Sequence, residues 1–326
     1  MKSIVFIISL PRSGSTLLQR LLMQHPGVSS VSEPWLMLPL AYMRDQFGKV
    51  MAPYDHQLAQ IAINDLVKSL DGKDDEWAAC IRGFSDQVYA SLSSDSSKLF
   101  IDKTPRYFLI LPFLEKVYPD AKYIFLFRQP LAVMASIVKA WNYGRFMPCY
   151  QNSVDLYMGP RLLVDAWDRL KGKSIRISYE ALVTDSDATL SYVMDYLGLP
   201  TEEMSSDLGA ENPLAGIMGD KTGARRYNSV STESLGQWAA LFDSWYRRRY
   251  AVRYLEELGD RVIEGLGYDR DQLVRELKND RRTARIGVRD AFDSVRVSMY
   301  HGITGDYMQR VMRKILVPGS MFWKRR

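Results

Sequence analysis

The segment that most constrains the fold lies near the start of the chain, at residues 3–24. Its apolar run Ile4–Ile8 is rich in β-branched residues and predicts a strand covered on both faces. Leucines at helical spacing from Leu17 onward predict a helix that ends near residue 25. The hexapeptide PRSGST at residues 11–16 connects the two. A turn of this kind directs backbone N–H groups and the positive end of the helix dipole at one point, which predicts an anion site, most naturally for phosphate.

The spacing within this turn indicates which anion it suits. On the pattern GxxxxGK[ST], Ser9 takes the first glycine position, Gly14 the second and Thr16 the final hydroxyl. Ser15 stands in the lysine position, and the positive charge lies at Arg12, inside the loop. Kinases and NTPases need that lysine, and Mg²⁺ to shield a triphosphate. We therefore expect a less charged anion and no metal, with an ordinary strand-to-helix turn as the alternative.

The alternation of strands and helices indicates the fold class. It predicts an α/β, P-loop-containing fold with a central, mainly parallel sheet flanked by helices. Ligands of such sheets bind at the carboxyl ends of the strands. Five polar residues follow predicted strands, namely Arg12, Glu33, Lys103, Arg128 and Tyr179. We expect them to share one site, within a domain over residues 1–270 that a basic helical extension follows over 271–326.

Four other segments carry a prediction about their structure or their role. Residues 201–234 predict a long loop, which either folds over a bound anion or stays solvated. Periodic apolar residues predict a helix over 235–258 and another that ends at Leu197. Aromatic residues after the predicted helix that carries Ser136 line an acceptor cleft or belong to the core: Trp141, Tyr143, Phe146 and Tyr150.

Composition narrows the class of protein and its partners. The net charge of +5 and the pI near 9.0 suit anionic ligands, but the charges are mixed, so no nucleic-acid partner is expected. Two cysteines far apart in sequence exclude a disulfide scaffold. The sequence has no uninterrupted stretch of about 20 apolar residues, so no membrane-spanning helix is predicted. The first strand is not followed by a signal-peptide cleavage site. We expect a cytoplasmic protein, with membrane association through the basic tail beyond residue 280 as the alternative to a solvated tail.

Two motifs together resemble one enzyme family. The segment PRSGSTLL at residues 11–18 resembles the 5′-phosphosulfate loop of sulfotransferases that use 3′-phosphoadenosine 5′-phosphosulfate (PAPS). The second family signature is a strand that ends in arginine with a serine eight residues later, which Arg128 and Ser136 match. The resemblance covers about residues 3–200 and is closer to tyrosylprotein and carbohydrate sulfotransferases, and their bacterial relatives, than to small-molecule enzymes.

The resemblance implies a role for each matching residue. PAPS is the implied cosubstrate, with no metal. Its 5′-phosphosulfate is implied to contact the loop residues Arg12, Ser13, Gly14, Ser15, Thr16 and Leu17. Its 3′-phosphate is implied to lie at Arg128 and Ser136, with Tyr179 on the nucleotide. Lys221 is an approximate substitute for a further 3′-phosphate ligand, because the glycine-rich loop of small-molecule sulfotransferases is not found.

The resemblance also implies the catalytic groups. Glu33 is the implied base, and Lys103 lies near the transferred sulfuryl group, with Arg12 beside it. Taken alone, Glu33 is better explained as a helix-capping or salt-bridging carboxylate after a strand, so its role as the base depends on the resemblance. The expected acceptor is a hydroxyl of a saccharide or glycolipid. The alternatives are a tyrosine or other phenol, a P-loop kinase, and a non-catalytic anion-binding module.

Overall fold

The computed structural model describes residues 2–43, 56–141, 146, 152–203, 232, 235–279, 290 and 292 of the 326-residue chain. Its strands are β1 (Ser3–Ser9), β2 (Val28–Ser30), β3 (Leu99–Asp102), β4 (Lys122–Phe127) and β5 (Ser174–Ser178). They pair in the order β2-β3-β1-β4-β5, and every pair is parallel. The predicted α/β fold with a parallel sheet is therefore confirmed.

The helices of the described residues surround this sheet. They are α1 (Ser15–Leu22), α2 (Met37–Tyr42), α3 (His56–Lys68), α4 (Lys73–Leu92), α5 (Leu111–Val117), α6 (Pro130–Trp141), α7 (Gly159–Leu170), α8 (Tyr179–Thr184), α9 (Ser186–Leu197), α10 (Trp245–Leu258), α11 (Asp260–Gly265) and α12 (Arg270–Asn279). A π-helical turn precedes α7 at Val154–Met158, and short 3₁₀ turns include Tyr107–Leu109 and Gln237–Leu241. Within the described residues, no helix has the length and apolar character needed to cross a membrane.

The side chains of β1 show how the sheet is buried. Successive residues of a strand point to opposite faces. Phe6 and Ile8 join a core formed with α4, α5, α7 and α10, whereas Val5 and Ile7 join a second core formed with α1, α8 and α9. All four side chains are at most 1% exposed. Because both faces of β1 are covered, only the ends of the central strand are open to a ligand.

Two predicted helices differ from the structure. The helix predicted over 235–258 is wrong, because the 3₁₀ turn Gln237–Leu241 ends before Ser244, whose hydroxyl accepts from the N–H of Arg247 and starts α10. The helix that ends at Leu197 is also split, because the Asp185 carboxylate accepts from the Ala188 N–H and starts α9 afresh. In both places a short polar side chain caps a new helix and competes with continuation of the previous turn.

The expected boundary between residues 270 and 271 stays a prediction. The helix that spans it, α12, buries Leu273 and Leu277 in the larger core. Asp290 accepts two hydrogen bonds from Arg247 of α10, at 2.7 and 3.2 Å. The first part of the predicted extension therefore packs against the body of the sheet domain.

Candidate active site

The loop after β1 has the geometry of an anion site. Arg12 and Gly14 both lie in the left-handed region, with φ of +66° and +91°. Gly14 is the N-cap residue of α1, and its carbonyl accepts from the N–H groups of Leu17 and Leu18 at 3.0 and 3.1 Å. Ser13 is buried, and its hydroxyl oxygen has no hydrogen-bond partner among the described residues. A turn at a helix N-terminus with a buried unpartnered donor suits an oxyanion.

Tyr179 and Arg128 are layered against this loop. A Cβ atom at Gly14 would lie 2.3 Å from Cδ2 of Tyr179, so only glycine permits this contact. The guanidinium of Arg128 lies 4.0 Å from the centre of the Tyr179 ring, and its Nη1 donates to the Arg12 carbonyl at 2.8 Å. The strand end of β4, the start of α8 and the loop after β1 are thus joined through three side-chain contacts.

Arg128 is a partly buried cation with unused hydrogen-bonding capacity. Burial lowers its pKa, although Tyr179 and Glu180 oppose that effect. Its Nε has no hydrogen-bond partner, and no carboxylate lies within ion-pair distance of it, within the part of the chain that the structure describes. A partly buried guanidinium without a carboxylate partner is stabilised when an anion binds to it. Arg128 therefore fits a phosphate or sulfate group of a ligand.

Ser136 of α6 lies beside the same loop. The Arg12 Nε donates to the Ser136 hydroxyl at 3.2 Å. The sequence places these residues 124 positions apart. The resemblance implies that Arg12 contacts the 5′-phosphosulfate of the nucleotide and that Ser136 contacts its 3′-phosphate. These two side chains are therefore in direct contact.

Lys103 supplies the cation that the loop lacks at Ser15. It follows β3, its side chain is 1% exposed, and its Nζ donates to Glu33 Oε1 at 2.7 Å and to Thr16 Oγ1 at 3.2 Å. The indole Nε1 of Trp35 donates to the other carboxylate oxygen of Glu33 at 3.3 Å. The ammonium group thus stands between the first turn of α1 and a carboxylate that is itself 10% exposed.

A buried carboxylate lies directly behind this pair. Asp102, the last residue of β3, is fully buried and accepts from the hydroxyls of Tyr89 and Tyr107 at 2.7 and 2.8 Å, and from Thr104 at 3.0 Å. Burial raises the pKa of Asp102 to about 6, although the three hydroxyl donors and Lys103 each oppose that shift. The carboxylate is thus a fixed acceptor for hydroxyl groups near the site.

A cavity of about 310 Å³ adjoins Arg128 and Tyr179. Its walls also include Glu180, Trp238, Tyr268 and Leu273. The hydroxyl of Tyr268 donates to Glu180 Oε2 at 2.6 Å, while Oε1 accepts from the backbone N–H of Gln129 at 3.2 Å. The cavity is of the size that a planar base or a sugar ring occupies, next to the partly buried guanidinium of Arg128.

The structure brings most of the predicted site residues together. Arg12, Ser13, Gly14, Ser15, Thr16, Leu17, Glu33, Lys103, Arg128, Ser136 and Tyr179 all lie in or directly against the loop after β1 or the strand ends beside it. Leu17 contributes its backbone N–H to the first turn of α1, and its side chain packs against the second core. Lys221, Tyr143 and Tyr150 lie outside the described residues. Phe146 is buried against Phe242 and Tyr250, whereas Trp141 is 41% exposed.

Several residues of the site were not anticipated from the sequence. Asp102 is the last residue of an apolar strand. A charged residue at the end of a buried run is the sequence signal that could have identified it. Trp35, only two residues from Glu33, has a φ of +54° that no sequence pattern indicates. Tyr268 comes from a segment 88 residues beyond its partner Glu180, so only the fold reveals their contact.

Comparisons with known proteins agree with this geometry. A family model described as "Sulfotransferase family" matches residues 4–203. Nodulation protein NoeE of Sinorhizobium fredii is 38% identical over 142 residues, which cover 43% of this chain and 32% of that protein. Protein-tyrosine sulfotransferase A of Caenorhabditis elegans is 20% identical over 206 residues, covering 61% of this chain and 50% of the relative. The chain thus spans about a third to a half of these two relatives.

The fold also resembles that of a solved structure. The sulfotransferase domain from the curacin biosynthetic pathway is 22% identical and superposes with a TM-score of 0.51, over 82% of this chain and 99% of that domain. At this identity the likeness concerns the arrangement of the sheet and helices alone.

Proposed function

Because the chain belongs to the sulfotransferase family, we propose that it transfers the sulfuryl group of PAPS to a hydroxyl group of an acceptor. Use of PAPS is a general property of that family. The observation that carries the proposal is the position of Lys103, whose Nζ lies between Thr16 Oγ1 and Glu33 Oε1 at the carboxyl end of the sheet. A cation at this point stands between the anion loop and a carboxylate that can accept a proton.

The nucleotide of PAPS would be held at two points. The loop amides and the Ser13 hydroxyl suit its 5′-phosphosulfate, because this oxyanion would meet the positive end of α1. Arg128, with its unpartnered Nε, suits the 3′-phosphate. The cavity beside Tyr179 and Trp238 would receive the nucleoside.

The proposed reaction is an in-line displacement at sulfur. The acceptor oxygen forms a bond to sulfur, the bond from sulfur to the 5′-phosphate oxygen breaks, and 3′-phosphoadenosine 5′-phosphate (PAP) leaves. Glu33 would take the hydroxyl proton of the acceptor. Lys103 would stabilise negative charge on the departing phosphate oxygen, as cations do in phosphoryl transfer.

We favour a saccharide or glycolipid hydroxyl as the acceptor. The indole of Trp35 next to Glu33 offers an aromatic surface at the carboxylate, of a kind that lines pockets for cyclic ligands. A tyrosine hydroxyl is the second candidate, because one relative is named a protein-tyrosine sulfotransferase. Contact of the basic tail with anionic lipid remains a prediction from the sequence.

The test is a transfer assay with radiolabelled PAPS. Extracted cell-surface glycans, glycolipids and tyrosine-containing peptides are supplied separately, and label in each product is counted. We expect label in at least one class, with the glycan and glycolipid samples ahead of the peptides. No transfer to any acceptor, together with Mg²⁺-dependent consumption of ATP, would replace the proposal with a kinase.

A further inference from the structure

We propose that Thr104 and Tyr107 are positioning residues for Glu33, and that buried Asp102 is the anchor through which both act. This inference rests on the proposed role of Glu33 as the base. It concerns how a carboxylate on an irregular segment is held within reach of Lys103.

The segment that carries Glu33 has little backbone support of its own. It follows β2, which is three residues long and lies at one edge of the sheet, and residues 31–36 form no regular structure. Trp35 has a φ of +54°, a conformation that a bulky residue adopts only when its surroundings impose it. Contacts from outside the segment must therefore define the place of Glu33.

Two such contacts come from hydroxyl groups on the segment after β3. The backbone N–H of Trp35 donates to Thr104 Oγ1 at 3.2 Å, and the backbone N–H of Met37 donates to the hydroxyl of Tyr107 at 3.2 Å. Thr104 directly follows Lys103 in the sequence. The two hydroxyls therefore connect the segment that carries Glu33 with the segment that carries Lys103.

Asp102 determines which way these hydroxyls point. An ionised carboxylate only accepts hydrogen bonds, and a hydroxyl has one proton to donate. Thr104 and Tyr107 both donate that proton to Asp102, at 3.0 and 2.8 Å. Their lone pairs are consequently left to accept from the N–H groups of Trp35 and Met37.

Tyr89 provides a matched comparison within the same cluster. Its hydroxyl donates to the same Asp102 oxygen as Tyr107, at 2.7 Å, and both tyrosines are at most 1% exposed. Tyr89 belongs to α4, and its hydroxyl has no bond to the segment over 31–37 within the described structure. Removing either hydroxyl weakens the cluster around Asp102, but only removal of the Tyr107 hydroxyl frees a backbone N–H beside Glu33.

The experiment compares four variants with the wild type. Thr104→Val keeps the shape of the side chain without its hydroxyl, and Thr104→Ser keeps the hydroxyl. Tyr107→Phe and Tyr89→Phe form the second pair. For each we measure kcat with radiolabelled PAPS, the Kd for PAP by calorimetry, and hydrogen–deuterium exchange of the peptide that spans residues 31–37.

We expect Thr104→Val and Tyr107→Phe to lower kcat by about tenfold or more, because small misplacements of a catalytic group are costly in rate. In both variants, the amide groups of residues 31–37 should exchange faster than in the wild type. The Kd for PAP should stay within about threefold of the wild-type value, which is less than a tenfold change in affinity. Thr104→Ser and Tyr89→Phe should retain the wild-type kcat. If Thr104→Val does not fold, the tyrosine pair makes the same comparison.

Two results would overturn the inference while the proposed function stands. The first is full turnover by Thr104→Val and Tyr107→Phe in an enzyme that transfers sulfate. The second is an equal loss of kcat in Tyr89→Phe and Tyr107→Phe, which would assign the effect to the Asp102 cluster in general. A wild-type chain that transfers no label to any acceptor would instead overturn the proposed function, and the inference with it.

Discussion

At the scale of single residues, the carboxylate of Glu33 has two partners and spare capacity. One oxygen accepts from Lys103 and the other from the Trp35 indole. Each carboxylate oxygen has two lone pairs, so both can still accept a further hydrogen bond. An acceptor hydroxyl could therefore bind to Glu33 without displacing either partner.

This geometry leads to a prediction for Glu33→Gln. We expect turnover to fall by about a hundredfold or more, the usual size of a lost general base, while PAP still binds. Turnover is measured with radiolabelled PAPS and binding by calorimetry. Glu115→Gln is the control, because Glu115 pairs with Arg169 outside the site. A fully active Glu33→Gln enzyme would remove Glu33 as the base and leave it a structural carboxylate.

The partly buried guanidinium of Arg128 leads to a second prediction. Loss of a charge from a buried hydrogen-bonded pair costs about 2–5 kcal/mol, so Arg128→Ala should weaken PAP binding by about thirtyfold or more. Arg12→Ala should weaken binding in the same direction. Arg176→Ala is the matched control, since Arg176 stacks on Phe127 at 4.3 Å and does not line the cavity. Unchanged affinity of Arg128→Ala by calorimetry would reject the assigned anion site.

Asp102 gives a prediction about stability and pH. Burial raises its pKa from 3.8 to about 6, so the folded state binds a proton that the unfolded state releases between these values. Stability from this group is therefore present at low pH and lost as the pH rises through 6, by about 1 kcal/mol between pH 5 and pH 8. Urea unfolding at both pH values should show this loss in the wild type relative to Asp102→Asn. A pH dependence that is the same in both proteins would contradict the raised pKa.

At the scale of elements, the carboxyl ends of three strands are joined by side chains of the segments that follow them. Arg128 after β4 stacks on Tyr179 after β5, and Tyr179 packs on Gly14 after β1. Parallel strands bring these ends to one edge of the sheet. The site is thus a property of the strand order, because β1 lies between β3 and β4.

Tyr268 and Glu180 connect the starts of α6 and α8 through hydrogen bonds. The Tyr268 hydroxyl donates to Glu180 at the start of α8, and Glu180 accepts from the N–H of Gln129 just before α6. We predict that Tyr268→Phe weakens PAP binding about threefold to tenfold, since one hydrogen bond to a charged group is lost beside Arg128. The affinity is measured by calorimetry.

The control for this change is Tyr254→Phe. The Tyr254 hydroxyl donates to the Leu156 carbonyl at 3.0 Å and does not line the cavity. Each variant loses one hydroxyl hydrogen bond, which is buried for Tyr254 and part-buried for Tyr268, so the fall in melting temperature should be at least as large for Tyr254→Phe. If Tyr254→Phe weakened PAP binding as much as Tyr268→Phe, the effect would be one of general stability.

At the scale of the whole molecule, the larger core extends beyond the residues that the family model matches. That match ends at residue 203, whereas α10, α11 and α12 bury side chains in the same cluster as β1 and β4. The cavity beside Arg128 has Leu273 in its wall. The later helices thus complete both the core and the site.

This arrangement predicts the outcome of truncation. A chain that ends at residue 279 keeps Leu273 and Leu277 and should fold, whereas a chain that ends at residue 269 should not. Each lost leucine costs about 2–5 kcal/mol, against a total stability of about 5–15 kcal/mol. Circular dichroism and thermal melting of the two products check this. An insoluble chain ending at 279 would show that the residues beyond it are needed for folding.

Patterns among neighbouring residues predict the secondary structure at the start of this chain. They locate β1 and α1 because apolar periodicity acts over a few residues, and the turn between them shares its glycine and hydroxyl positions with known anion loops. The helix predicted over 235–258 is wrong because the cap at Ser244 competes with an equally periodic apolar pattern. Rules based on neighbouring residues do not distinguish a new helix cap from continuation of the helix when tertiary packing determines which one forms.

The fold class, the anion loop and the residues at the strand ends follow from the amino-acid order alone, because each depends on neighbours along the chain. The folded arrangement was needed to show that Lys103 pairs with Glu33, that Asp102 holds Thr104 and Tyr107, and that Tyr268 reaches Glu180. The Glu33–Lys103 and Glu180–Tyr268 pairs join different elements, 70 and 88 positions apart. Their geometry follows from strand order and helix packing, which no local pattern encodes.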